Sequence, residues 1–352
     1  MDNGVGPAGR LMTAARVAQA SEADHDEHAY WALVWEEAQE GNGETALRCG
    51  SGLLGSTDVL ERKVGCNLVG SAADTHEALR GEAATALLAL AEVETENSVL
   101  SSLVCALARA QDRRAVPVLV GLSRHEDADL RRLVASEFTS VTSGLSDGPD
   151  VRALIRLTRD QDPEVRHWAA FTLGFQLEQD TAAIRDALWT CATDECGEVR
   201  EEGARGLARR HDPRAVPLIA RLLEADDWSH SFTLHAAEIL GVPELLPALA
   251  ACDPSPETDR AVAACDPVRR ARLEDDAWTV VTELERLRPG IGAALSSPRY
   301  ESVHGMRLTH RETADAGYEV AALLSRADGD PVRAAGLVVA DLTGSTRKRS
   351  AG

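Results

Sequence analysis

Aromatic side chains make up only 4% of this 352-residue chain, although 44% of its residues are hydrophobic. A core filled by alanine and leucine rather than by rings suits short helices whose backbones approach closely, and suits a β-sandwich poorly. Basic residues are scarce as well: 37 Lys and Arg stand against 57 Asp and Glu, for a formal charge of −20. Replacing counterions along a phosphate backbone needs cations, so the whole-molecule field works against nucleic acid and anionic membrane. A protein is the expected partner, and a basic segment is the form that the charge favours. No uncharged apolar run approaches the roughly 18 residues of a membrane span, and the polar opening after Met1 lacks the basic start and apolar core of a secretory signal. Cys-x-x-Cys pairs are missing too. Cys49, Cys66, Cys105, Cys191, Cys196, Cys252 and Cys265 sit mostly within apolar helical patterns, so buried thiols in the reducing cytoplasm are expected. Gly50, Ser51, Gly52 and Gly55 lack the Gly-Lys-Ser/Thr ending of a phosphate loop, and no cofactor is expected.

What is present is repetition. ALARAQDRRAVPVLVGL (Ala106 to Leu122) returns as GLARRHDPRAVPLIARL (Gly206 to Leu222), displaced by 100 residues without a gap. One hundred is about three units of the length typical of helical repeats. Intermediate copies lie between: a hydrophobic-Arg pair recurs in ADLRRLVA, PEVRHWAAFTLG and GEVREEGARGLA, its apolar member at Leu130, Val165 and Val199, spacings of 35 and 34. An all-α solenoid of stacked antiparallel helix pairs follows, in which each unit buries its apolar face against its neighbours.

The pattern predicts helix pairs at 44–54 and 58–69, 76–93 and 99–110, 113–123 and 127–140, 150–159 and 163–175, 181–192 and 197–210, and 214–224 and 229–240. Asp162-Pro163 and Asp212-Pro213 each place a capping carboxylate before a proline, where a missing N–H costs nothing. Leu130, Leu133, Val134 and Phe138 form one stripe, repeated by Val165, Trp168, Ala169 and Leu173. Gly174 and Gly241 fit helix ends. The expected organisation is a flexible leader over 1–26, the repeat array over 27–251, a divergent helical cap with an irregular recognition loop over 252–342, and a disordered basic tail over 343–352. Helices are expected within the cap at 267–287, 318–326 and 331–342, with a loop through Pro254 and Pro256.

The pieces DPEVRHWAAFTLG, DECGEVREEGARGLA and DPRAVPLIARLL resemble HEAT repeats, as does most of the stretch from Glu44 to Gly241. Segments such as DTAAIRDALW and GLARRHDPRAVP are similar to uncharacterised HEAT-repeat proteins of actinobacteria. The resemblance names a fold, not an activity. It implies a polar ladder between neighbouring repeats, matched in part by Asp162/Arg166, Asp194/Arg200 and Arg62, and interrupted where Leu100 stands at the arginine position.

A non-enzymatic scaffold is the leading reading, because stacked helices offer an extended surface without a pocket. Candidate partner-binding residues are His167 and Trp168 in the best repeat helix, Trp228 and His235 near a repeat turn, and Arg299, Tyr300, His304 and Arg307 in the aperiodic segment. Loops on a rigid scaffold often carry recognition. Glu195, Glu198, Glu201, Glu202, Asp226 and Asp227 would form an acidic rim. Asp24, His25, Asp26, Glu27 and His28 carry ligand atoms, but they precede a helix start, where carboxylates serve the dipole, so no metal site is assigned. No catalytic nucleophile is marked out. The alternative is an enzyme on the same scaffold, either a DNA base glycosylase using Trp168 with Asp162 or Trp228 with Asp226, or a cofactor or chromophore lyase. The charge of −20 opposes the first and no attachment motif supports the second.

Overall fold

One capping device recurs down the chain. Asp58, Asp127 and Asp162 each hold an extended backbone and accept the N–H groups two and three residues on, which starts a helix. Cys196 occupies the equivalent place before the helix at Gly197, where its thiol meets the Glu198 carboxylate at 3.0 Å instead.

The computed structural model describes residues 7–20, 24–40, 43–225, 230–296, 307–310 and 313–349. Its helices are α1 (Pro7–Ala20), α2 (Asp24–Glu40), α3 (Gly43–Leu54), α4 (Val59–Thr75), α5 (Arg80–Ala91), α6 (Asn97–Ala110), α7 (Val116–Leu122), α8 (Ala128–Glu137), α9 (Pro149–Leu157) and α10 (Pro163–Phe171). They continue as α11 (Ala182–Cys191), α12 (Gly197–Arg209), α13 (Ala215–Glu224), α14 (His230–Leu240), α15 (Leu246–Leu249), α16 (Pro256–Cys265), α17 (Pro267–Leu287), α18 (Val320–Arg326) and α19 (Pro331–Arg349). Strands β1 (Ala294–Ser296), β2 (Arg307–His310) and β3 (Thr313–Glu319) form one antiparallel sheet in that order.

The chain divides into Met1–Ala187 and Leu188–Gly352, the cut falling inside α11. In the first unit the second helix of each pair packs on the next, α4 on α6, α6 on α8 and α8 on α10, with first helices α3, α5, α7 and α9 in a parallel layer. In the second unit α12 packs on α14 and α14 on α16. This is the all-α solenoid that the periodicity predicts. The apolar stripe is buried at Leu130, Val134 and Phe138 and again at Val165, Ala169 and Leu173. The copies 100 residues apart behave alike, since Ala115 and Ala215, and Leu119 and Ile219, are each fully buried. Where α3 crosses α4, Gly50 and Gly65 face each other, and a Cβ on either would stand 3.0 Å or less from an atom of the other helix. Neither position has room for a side chain.

The polar ladder is real, and its geometry refines the expected pairing. Arg131 of α8 forks onto Asp160 with both nitrogen-oxygen distances at 2.8 Å, and Arg62 of α4 reaches Glu94 at 2.6 and 3.2 Å. Each acceptor precedes the next second helix by a few residues. The helix-capping aspartates Asp127 and Asp162 each give one oxygen to their own helix. The same arginines turn Nη1 onto carbonyls of their own inter-helix turn, as do Arg166 and Arg200. At the interruption Leu100 is buried, and the link between neighbours is Asn97 to the Asp127 carboxylate at 2.7 Å.

Five expectations fail. Asp212 does not cap α13 across Pro213, because that helix begins at Ala215, and its carboxylate instead accepts the Arg214 N–H at 3.0 Å and pairs with the Arg214 guanidinium. Residues 7–20 of the leader form α1 and bury Leu11, Met12 and Ala15, because α1 and α2 pack as a pair against α4. The loop ends at Ser255 instead of running on past Pro256, since Ser255 caps α16 and Pro256 takes its first turn. Gly174 lies inside a π-helical turn, Thr172–Gln176, rather than at a helix end. The cap holds a sheet beside its expected helices, and residues 343–349 of the expected disordered tail are helical. β1, β2 and β3 pair within the cap, and α19 continues to Arg349. Leu308 of β2 and Ile291 are buried with Val280 and Leu284 of α17 and Val338 of α19, so a separate apolar cluster holds this end together.

Candidate partner-binding face

Each second helix buries one stripe, and beside it the sixth residue of the helix ranges from buried (Val64, Glu202) to half-buried (Ser102, Leu133, Trp168, His235). The sixth residue of successive second helices is Val64, Ser102, Leu133, Trp168, Glu202 and His235. Two predicted residues, Trp168 in the first unit and His235 in the second, each fall at this position of their own helix. Trp168 belongs to the predicted packing stripe by spacing, yet it is only half-buried, as is Leu133 one repeat earlier. Both sit at the stripe's edge rather than its centre.

On α10 the edge is aromatic. The Trp168 ring meets Phe171 edge-on at 5.7 Å and 83°, and Phe171 stacks on Phe175 at 5.7 Å and 23°. All three rings are half-buried. His167 stands perpendicular to Trp168 at 5.8 Å, and its Nδ1 is buried without a hydrogen-bond partner among the described residues. Aromatic pairs in these arrangements hold one another rigid. Two of the chain's four phenylalanines therefore extend a site that sequence reading placed at His167 and Trp168 alone. The signal was available: Trp168, Phe171 and Phe175 follow the spacing of one helix face.

In the second unit this position of α12 is charged. Glu202 of α12 lies 2.9 Å from Arg205, both side chains almost fully buried, and the Arg205 guanidinium sits 5.0 Å above the Phe232 ring. Burial pushes the Glu202 carboxyl up to about 7, against the attraction of Arg205, and burial likewise lowers Arg205. Glu202 is thus no part of a solvated acidic rim, because its neighbours on α12 and α14 cover it. Glu195 and Glu198 remain exposed. His235 is half-buried on α14, three residues from exposed Phe232 on one side and from Glu238 on the other; Glu238 lies 3.6 Å from Arg260.

Trp228, Asp226, Asp227, Arg299, Tyr300 and His304 lie outside the described residues. Arg307 opens β2, opposite Ser296 on β1 and Glu319 on β3. Asp24 to His28 form the first turns of α2, and no cluster of three or more metal-ligating residues occurs among the described residues. Asp162, offered with Trp168 as a catalytic carboxylate, accepts the Glu164 and Val165 N–H groups at 2.9 and 3.2 Å as the cap of α10. No helix among the described residues is long and apolar enough to cross a membrane.

Comparison with known proteins agrees with this architecture. Residues 151–239 match the HEAT-repeat family. Protein YibA of Escherichia coli is 33% identical over 107 residues, which are 30% of this chain and 38% of YibA, so the alignment spans well under half of that relative. The crystal structure of YibA superposes with a TM-score of 0.56 at 19% identity, covering 75% of this chain and 97% of the other. A complex of CpcE and CpcF of phycocyanin lyase from a Nostoc species aligns at 19% identity with a TM-score of 0.39, over 63% of this chain and 93% of that one. The HEAT-repeat match is to residues 151–239, and the likeness to YibA beyond them concerns the fold.

Proposed function

We propose that this protein is a non-enzymatic scaffold that holds a protein partner on the exposed side of its second helices. The observation that carries this reading is the Trp168–Phe171–Phe175 ridge. Three rings left half-buried, in a chain with few aromatic residues, are placed as anchors around which a partner can exclude water. The partner's chemistry follows from charge. A net charge of −20, with exposed Glu195 and Glu198 at the start of α12, steers a basic segment toward the surface and repels polyanions. Of the carboxylates that the glycosylase reading would use, Asp162 is occupied as the cap of α10.

The test is a photo-crosslinking amino acid at position 171 of the full chain, expressed in its native cell, with Trp168→Ala as the comparison. A single protein crosslinked near stoichiometry, and weakened about tenfold or more by Trp168→Ala while helicity is unchanged, is the expected result. Recovery of nucleic acid or a small molecule in place of a protein overturns the scaffold reading.

A further inference from the structure

The α1–α2 pair crosses the second-helix layer at its first members, α4 and α6, and encloses with them a pocket of about 390 Å³. That volume lies in the range of small-molecule sites, about 300–1,000 Å³. The lining is unlike the rest of this acidic protein. Lys63 is one of two lysines in the whole chain, the other being Lys348 near the end. It faces the same pocket as Arg109. Neither cation has an ion-pair partner among the described residues, whereas Arg62, one residue before Lys63, is locked onto Glu94 at 2.6 Å.

Arg109 is also positioned. Its guanidinium carbon lies 4.9 Å from the Trp31 ring centroid, and its Nη1 is buried with no hydrogen-bond partner among the described residues. The ring face holds the guanidinium at the pocket wall, and an unpaired buried N–H is a donor that no described residue satisfies. Beside it, Tyr30 is almost fully buried, and its hydroxyl accepts from the Asn67 amide at 2.9 Å, which leaves the phenolic proton to donate. Glu137 is the carboxylate whose ionisation Arg109 favours, but it does not line the pocket, and burial pushes it toward the neutral form.

We propose that this pocket binds a small organic anion. Its carboxylate or phosphate group would be held by Arg109, Lys63 and the Tyr30 hydroxyl, and its apolar body would lie against Trp31, Leu60 and Val64. The site is separate from the aromatic ridge on α10, and does not depend on the scaffold reading.

The scarcity of lysine supplies the test. Reductive methylation of the full chain with isotope-labelled formaldehyde keeps the lysine charge and marks Lys63, Lys348 and the terminal amine, with Lys63 assigned by its loss in Lys63→Arg. Phenyl phosphate, phenylacetate and neutral benzyl alcohol are then titrated. The expected result is a saturable shift of the Lys63 signal by at least one of the two anions, with a dissociation constant of about 1 mM or lower. Lys348 should stay in place, and benzyl alcohol should have no effect. Arg109→Gln should weaken binding about tenfold or more. Should that variant not fold, calorimetry on Lys63→Gln gives the same readout, because Lys63 is only half-buried. No saturation by either anion, equal shifts with benzyl alcohol, parallel movement of Lys348, or unchanged affinity in the variant overturns the proposal.

Discussion

Two buried ion pairs in this protein have the same ingredients and opposite electrostatics. Arg131 and Asp160 join α8 to the turn before α10, while Glu202 and Arg205 lie three residues apart on α12. Burial alone would raise Asp160, but a forked bond from Arg131 and the Asp162 N–H hold it below its ordinary value. For Glu202 burial dominates, and the carboxyl rises to about 7. The difference is geometry. Arg131 spends its remaining N–H groups on the His125 and Glu126 carbonyls, so nearly every donor is satisfied. Glu202 and Arg205 share one close approach at 2.9 Å, while Arg205 also covers the Phe232 ring. A charge pair repays its desolvation only when the surrounding donors and acceptors are completed as well.

The largest expected effect comes from breaking the first pair. Arg131→Met should cost about 3–5 kcal/mol, because it strands a nearly buried Asp160 and uncaps two carbonyls; chemical denaturation at neutral pH measures it. Because Asp160 is depressed, its contribution is present above the ordinary carboxylate range and is lost as pH falls through its folded value. The penalty should therefore shrink in acid. Replacing the second pair together, Glu202→Leu with Arg205→Met, should leave stability unchanged or raise it by about 1–4 kcal/mol. A loss of similar size to that of Arg131→Met would show the two pairs to be equivalent after all.

Their pH dependences should run in opposite directions. Glu202 keeps its proton more firmly in the folded chain, so the folded state holds the extra proton between 4.5 and about 7. This residue's contribution should fall as pH rises across that interval and stay flat above it. Denaturation midpoints for wild type and Glu202→Gln, taken between those limits, should differ in slope, and parallel curves would refute the assignment. The smallest effect is expected at the ladder's interruption. Installing Leu100→Arg with His125→Asp puts a ladder pair where Asn97 and Asp127 now make the link, and should change stability by about 1 kcal/mol or less, since Leu100 gives up apolar burial in exchange.

Much of this was legible beforehand. The pattern predicted a helix over 267–287 that the fold reproduces, because Asp266 and Pro267 start it and apolar residues recur at helical spacing. Leu100 was recognisable as a missing rung from the chain alone. The site was half legible: spacing found Trp168 but assigned it to the packed stripe, and only the packing of neighbours shows it at the edge with Phe171 and Phe175. Helix α1 was missed because small residues such as those of PAGRLMTAARVAQA carry little periodic signal. The sheet was missed because β1 and β2, of three and four residues, are too short to carry an alternating pattern.

The sequence by itself determined the repeat, its length, the cap at Asp162 and the centre of the buried stripe on the second helices. These are local properties, set by spacing along one helix and by hydrogen bonds within a few residues. The tertiary structure decided which buried charges are repaid, where the rings stop being core, and that Lys63 and Arg109 share a pocket with Tyr30. Burial and electrostatics depend on what neighbouring helices place opposite, and residues 46 positions apart, such as Lys63 and Arg109, meet only once the chain has folded.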